Sequence, residues 1–282
     1  MIELHSHSTH SDGTKTPSEL LNIAKEKEIS VYSITDHEDI EGSKKLISLP
    51  HDGITIYSGV ELNAKVDKGQ MHILGYNIDL DNKQLNKRLK ELKLNAIHNL
   101  MLYVKQLKED YGIELPKEDI ENIINKEGNI GRPLLALLLV KYGHCKTVAE
   151  SFENLLNDRK IRDQKMWITK EECIKLINEA GGVAVLAHPF TLKLSNEELE
   201  KELQELIKLG LKGIEIVHSK GKEDERIFYK KMAKKYNLIT TGGTDYHGPE
   251  VKPNIELGTG INNNVNLNKE DINLIDIIPS RY

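Results

Sequence analysis

Runs of β-forming residues alternate with amphipathic helical stretches at both ends of this 282-residue chain, and the alternation stops in its middle. That interrupted rhythm limits the fold more than any other feature, because strands separated by helices build α/β layers or barrels. "IEL" opens the chain. "TPSELLNIAKEKEI" follows as a helix, with Thr16 as N-cap, Pro17 at the first helical position and Glu19 completing a capping box. "SVYSIT", "ITIYSGVEL" and "MHILGYNI" read as strands and "EDIEGSKKLI" as a short helix. From Asp79 to Arg162 no strand pattern occurs. There "NKQLNKRLKELKLNAIHNLMLYVKQLKEDYGI" keeps apolar residues at helical spacing, and "PKEDIENIINKE", "RPLLALLLVKYG" and "TVAESFENLLND" follow as shorter helices. The alternation then resumes through helix "TKEECIKLINEAGG", strand "VAVLA", helix "NEELEKELQELIKLG", strand "GIEIV", helix "KEDERIFYKKMAKKYN" and strand "LITTGGT". The expectation is an α/β domain, barrel-like or layered, made of residues 1–78 and 163–282, with a helical insertion at 79–162.

Bulk properties exclude several classes. With 39 basic against 44 acidic residues the net charge is -5, which argues against a whole-surface polyanion binder and leaves room for a local basic pocket. Cys145 and Cys173 form no CxxC pair and suggest a reduced, cytoplasmic protein. No apolar run is long enough to span a bilayer and the first residues lack a signal-peptide pattern, so a cytoplasmic location without membrane contact is expected. Trp167 and the tyrosines form no aromatic–basic alternation, so neither a track for long nucleic acid nor binding of a DNA duplex is expected.

The chemistry is concentrated at strand ends. His5 and His7 follow the first strand, Asp36 and His37 the second, Glu61 ends the third, His188 follows "VAVLA", Glu215 lies in "GIEIV", and Asp245 and His247 follow "LITTGGT". In parallel barrels such ends converge on one mouth, so residues far apart in sequence meet. Each position alone has a plain reading: a turn, a cap or a surface acid. At least five separate strand ends carrying His, Asp or Glu do not. Imidazoles and carboxylates without cysteine suit two or three divalent ions such as Mn, Fe or Zn, an arrangement that can clamp a phosphoryl group. Amide hydrolysis or deamination is the competing use of the same ligands.

Taken in order, "ELHSHSTHSDGTKTPSELLNIAKEKEI", "SITDHEDIEG", "GVELNA", "HILGY", "LAHPF", "GIEIVHS" and "TGGTDYHG" resemble the successive motifs of the PHP (polymerase and histidinol phosphatase) superfamily. The Asp12-Gly13 spacing and "NIGRPLLA" are similar to the nucleoside-bisphosphate phosphatase and oligoribonuclease branch, with Leu134 standing where a histidine is typical. The resemblance implies a distorted (β/α) barrel of about seven strands with a trinuclear metal centre. By motif match, His5, His7, Glu61 and Asp245 would hold one metal, Asp12, His37 and His247 a second, and Glu61, His72 and His188 a third. His218 or Asp245 would supply the general acid to the leaving oxygen. Arg132 would pair with a second phosphate, and His218 and Ser219 would face the same mouth. Asp36 would orient a ligand histidine or cap the helix before "EDIEG". His10, His51, His98 and His144 are taken as structural or surface residues.

The expected function is a metal-dependent phosphoesterase acting on small nucleotides, such as 3′,5′-bisphosphates or AMP-like compounds, or on the ends of short single-stranded 5′-phosphorylated RNA. The alternatives are a cyclic sugar-phosphate phosphodiesterase and, from another class, a non-catalytic metal-binding PHP module.

Overall fold

The structure is a computed structural model that describes residues 1–128, 130–164 and 166–282, with Arg162 through its backbone alone. Asn129 of the "NIGRPLLA" segment thus lies outside the described residues. The chain runs β1 (Ile2–Glu3), α1 (Pro17–Glu26), β2 (Val31–Tyr32), α2 (Glu41–Ser48), β3 (Thr55–Ile56), β4 (Gly59–Ala64) and β5 (Met71–Tyr76). Five helices without a strand follow: α3 (Lys83–Tyr111), α4 (Lys117–Ile124), α5 (Arg132–Lys141), α6 (Val148–Asn154) and α7 (Arg159–Arg162). Alternation returns with α8 (Lys170–Glu179), β6 (Val183–Leu186), α9 (Asn196–Lys208), β7 (Gly213–His218), α10 (Glu223–Tyr236), β8 (Ile239–Gly243) and α11 (Leu274–Ile277). Local chemistry sets several of these limits. Thr16 and Glu19 form the capping box of α1, Asn82 caps α3 by accepting from the Leu85 amide, and Gly112 ends α3 with φ +65°.

The strands form two sheets, a mixed α/β arrangement. One has the order β1-β2-β3, parallel throughout. The other has the order β4-β5-β6-β7-β8, with β5 antiparallel to both neighbours and β6, β7 and β8 parallel. Backbone hydrogen bonds continue past the strand ends and join the sheets: Leu4 N donates to Gly242 O at 3.3 Å, His7 N to Tyr246 O at 2.8 Å, and Glu61 N to Asp36 O at 3.1 Å. The reversed β5 corrects the idea that only C-terminal strand ends would meet. Its first residues, not its last, reach the mouth, and His72 arrives there with them. Glu61 likewise lies inside β4 rather than at its end.

The main apolar core lies against the larger sheet, with Leu62, Ile73, Val185, Ile214, Ile177 and Leu203 all buried. Residues 100–161 have a core of their own, in which Leu100, Leu107, Leu135, Leu139 and Leu156 are buried. A buried leucine contributes roughly 1.5–3 kcal/mol, so this helical unit carries much of its own stability. Among the described residues no helix is long and apolar enough to cross a membrane.

Several contacts fasten the helices from α3 to α7 to the rest. Arg88 makes a two-point pair with Glu172, with N···O distances of 2.7 and 3.3 Å. Lys126 Nζ donates to the Ser11 carbonyl at 2.7 Å. Gly128, at φ +92°, comes so close to the opening loop that a Cβ would sit 2.0 Å from His10 O. Gly128→Ala should therefore cost about 1–3 kcal/mol in urea denaturation. A variant as stable as the parent would show that the loop moves aside freely.

Candidate metal centre

Strand periodicity creates the site. Residues two apart share a face, so His5 and His7 point the same way, while Ser6 turns outward to Tyr32 OH at 3.0 Å and Ser33 O at 3.1 Å. His5 and His7 are laced to the segment after β8, where Asp245 N donates to His5 O at 2.8 Å. A parallel bridge between His37 and Glu61 brings the end of the β2 segment to β4. A bulge between Glu215 and Val217 in β7 lets Glu215 pair with Thr241 and His218 with Gly243. Thr241 and Gly243 lie on one face of β8, so the extra residue puts Glu215 and His218 on a common face despite their odd spacing.

All nine residues matched to metal sites in the sequence are brought together. His5 Nε2 and His7 Nε2 lie 3.4 and 3.2 Å from Glu61 Oε2, and 3.6 and 3.2 Å from Asp245 Oδ1. His247 Nε2 is 3.3 Å and His37 Nε2 4.0 Å from the Asp12 carboxylate. The other oxygen of Glu61 meets His72 Nδ1 at 2.8 Å and His188 Nε2 at 3.0 Å. The possible cation-holding groups are His7, Asp12, His37 and His247; His5, His7 and Asp245; His5, Glu61 and His188; and His37, Glu61 and His72. They differ from the sequence assignment in placing His5, His7 and His37 in two groups each and in dividing the expected Glu61, His72 and His188 site, with His188 beside His5 and His72 beside His37.

The donor set fits divalent cations. His5 Nε2, His7 Nε2, His37 Nδ1, Asp12 Oδ1 and Glu61 Oε2 are buried and have no hydrogen-bond partner among the described residues. A buried polar atom left so costs roughly 1–3 kcal/mol, and five converge here. Burial would raise the carboxyls of Asp12, Glu61 and Asp245, but the surrounding imidazoles, and for Asp245 first of all Lys252, hold them well below the usual range. They are ionised at neutral pH. Burial pulls His7 down, but the Asp245 and Glu61 carboxylates, each 3.2 Å from its Nε2, outweigh it and raise it to about 9. His37 goes the other way, lowered to about 3 by burial despite Glu61 and Asp12. Such dense ionised carboxylates with unpaired ring nitrogens match the borderline and hard metal ions that take N and O ligands.

The outward ring nitrogens fix how these side chains point. His5 Nδ1 meets Glu215 Oε1 at 2.9 Å, and His247 Nδ1 donates to Asp245 O at 2.9 Å, which leaves each Nε2 lone pair facing inward. Glu215 Oε2 also accepts from the His188 amide at 2.6 Å. His188 and Asp245 have φ of 23° and 55°, a left-handed conformation that costs non-glycine residues about 1–3 kcal/mol and occurs at functional positions.

The remaining expected residues lie in different surroundings. Asp36 neither touches a histidine ring nor caps α2. Its oxygens accept from Ser8 N at 2.7 Å, Ser8 Oγ at 2.6 Å and Ser11 Oγ at 2.6 Å, and Ser11 in turn meets His7 Nδ1 at 3.3 Å. Asp36 thus acts on His7 only through Ser11, because the opening loop folds over it. The N-cap of α2 is Ile40. Ser219 is buried and spends its hydroxyl on Thr244 O at 2.7 Å, so it ties two strand ends together rather than offering a proton to the mouth. His218 does reach the centre, with Nε2 3.2 Å from Asp245 Oδ2 and Nδ1 accepting from Lys220 N. Arg132 opens α5, but its guanidinium donates to Leu156 O at 2.9 Å and lies over Phe152 at 5.4 Å, inside the helical unit. His98 and His144 are exposed, and His51 bonds locally to Ile54 O.

Sequence reasoning counted Glu215 among the strand-end acids without giving it a role, and it missed three further contributors. Glu3, fully buried, accepts from His5 N, Thr244 N, Thr244 Oγ1 and Gly258 N and so pins β1 to β8. A charged residue in the strand "IEL" was the available signal. Lys252 Nζ contacts Asp245 Oδ2 at 2.5 Å, and Lys126 lies beside the opening loop; both come from loops without a spacing signal.

Comparison with known proteins agrees with this geometry. The family described as PHP domain matches residues 3–219. The chain is 28% identical over 266 residues to a 5'-3' exoribonuclease of Haemophilus influenzae, covering 90% of this chain and 94% of that one. It is 27% identical over 252 residues to a 3',5'-nucleoside bisphosphate phosphatase of Chromobacterium violaceum, covering 88% and 87%. Among solved structures, a candidate metal-dependent phosphoesterase from Bifidobacterium adolescentis superposes with a TM-score of 0.80 at 26% identity, covering 92% and 91%.

Proposed function

The chain belongs to the PHP domain family of phosphoesterases, and on that premise we propose that it hydrolyses phosphate esters of small nucleotides, 3′,5′-bisphosphates or the phosphorylated ends of short RNA. The observation that carries the reading is the inward convergence of five unpaired, buried donor atoms on Glu61 and its neighbours. The nucleotide preference draws on the relatives' names, a 5'-3' exoribonuclease and a 3',5'-nucleoside bisphosphate phosphatase. Two or three divalent ions would be held by His5, His7, Asp12, His37, Glu61, His72, His188, Asp245 and His247. Bound there, they would supply Lewis-acid polarisation of a phosphoryl group. His218 accepts at Nδ1, so in its neutral form the proton is on Nε2, beside Asp245, where it can meet a leaving oxygen.

In this reading the scaffold is one distorted barrel of seven staves, since only Tyr57 and Ser58 separate β3 from β4. Residues 79–162 form a cap, with Lys126 reaching from it to the opening loop. Phosphate release by manganese-loaded protein should be measured on adenosine 3′,5′-bisphosphate, AMP, a short 5′-phosphorylated RNA and ribose 1,2-cyclic phosphate 5-phosphate. The bisphosphate or the RNA is expected to give the highest kcat/KM. Turnover of the cyclic sugar alone would replace the nucleotide reading with a phosphodiesterase, and no turnover with metal bound would leave a non-catalytic module.

A further inference from the structure

A cavity of about 230 Å³ opens beside the centre, between the segment after β6 and the start of α10. His188 and His218 belong to both the cavity wall and the centre, so the two adjoin. We propose that this cavity is a second substrate subsite, which receives the non-reacting anionic group of a small phosphoester through Arg226, Lys222 and Tyr229. The proposal rests on the phosphoesterase reading and adds the place where the rest of the substrate is recognised.

Four features support it. Tyr229 is 5% exposed and lines the cavity, and no hydrogen bond engages its hydroxyl among the described residues. A hydroxyl that faces the cavity without a protein partner is free to donate to a ligand oxygen. Arg226 also lines the cavity, and its ion pair with Glu223 is long, 3.7 Å, with that carboxylate 74% exposed, so the guanidinium is left largely uncommitted. The wall includes Lys222; Glu223, Asp224 and Glu225 in the first turn of α10 offset the positive helix end, so the attraction for an oxyanion comes from the Lys222 and Arg226 side chains. Finally, Phe190 lines the cavity and packs edge-on against His218, with ring centroids 5.1 Å apart, so the wall has an apolar face beside the centre. Glu215 lines the cavity too, but both its oxygens are taken, by His5 and by the His188 amide. Pockets for drug-sized ligands run to roughly 300–1,000 Å³, so this one suits a phosphate with part of a ring rather than a whole nucleotide. Arg132, expected from the sequence to read a second phosphate, is instead engaged with Leu156 and Phe152.

The test compares wild type, Arg226→Ala and Tyr229→Phe on adenosine 3′,5′-bisphosphate and on p-nitrophenyl phosphate, which has no second anion. For Arg226→Ala the ratio of the two KM values should rise by about tenfold, the size expected for losing a charged hydrogen bond, with a smaller rise for Tyr229→Phe. An unchanged ratio in a folded Arg226→Ala would overturn the subsite. If wild type hydrolyses neither compound, the reaction assignment fails separately. Calorimetric titration with adenosine 3′,5′-bisphosphate then decides the subsite: a tenfold weaker Kd in Arg226→Ala supports it, whereas equal affinities, or no binding to wild type, overturn it.

Discussion

Glu61→Gln should lower kcat/KM for phosphate release by about three orders of magnitude while leaving a folded protein. Glu61 is fully buried, and its two oxygens face five histidines: His72 and His188 on one side, His5, His7 and His37 on the other. Asp245 is shared comparably, by His5, His7, His218, His247 and Lys252, but only Glu61 has all five of its partners as histidines among the described residues. Glutamine keeps the size but loses the charge, and its amide nitrogen must face imidazole nitrogens that need an acceptor or a cation. Removing several kcal/mol of charge stabilisation, of which about 4 kcal/mol is roughly a thousandfold in rate, gives the expected size. Metal analysis of the purified variant should show a parallel loss of bound manganese. Native metal content with activity within about tenfold of wild type would remove Glu61 from the centre of the mechanism.

Much of this centre was legible because barrel strands deliver side chains by position. His5 and His7 alternate with Ser6, and His188 and His247 follow buried strands, so element boundaries alone predict the meeting place. Where sequence reading fell short, the cause is geometry that spacing does not encode. The antiparallel direction of β5 decides that His72 reaches the mouth from the start of its strand. The β7 bulge decides that Glu215 and His218 face together. Asp36 was misassigned because its partners are set by how the opening loop folds: Ser8 and Ser11 close over it before any ring can. Arg132 was placed at the substrate from its motif, yet a helix start in the inserted unit turns its guanidinium toward Leu156. Loop cations such as Lys126 and Lys252 have no periodicity to read, and only folding shows that they lie near Ser11 and Asp245.

Glu215→Gln should weaken manganese affinity by about 10- to 100-fold, the usual cost of losing a carboxylate that orients a metal-binding histidine. The carboxylate serves two donors at once, His5 Nδ1 at 2.9 Å and the His188 amide at 2.6 Å, and so aligns residues from β1 and from the end of β6. Glutamine has one acceptor oxygen. If it keeps the His5 contact, its NH2 group opposes the His188 N–H; if it keeps the His188 contact, His5 loses the group that holds its proton on Nδ1 and its lone pair inward. Burial alone would lower the His5 pKa, but Glu215 first and Glu61 second hold it well above the usual histidine value, so the site favours a positive charge at Nε2, which a bound cation would supply in place of the proton. Because the defect is one of orientation, the half-saturating manganese concentration should rise, and excess metal should restore much of kcat. An unchanged half-saturation with a low kcat that excess manganese cannot rescue would assign Glu215 a packing role and leave the alignment of His5 to its backbone bonds with Asp245 and Glu3.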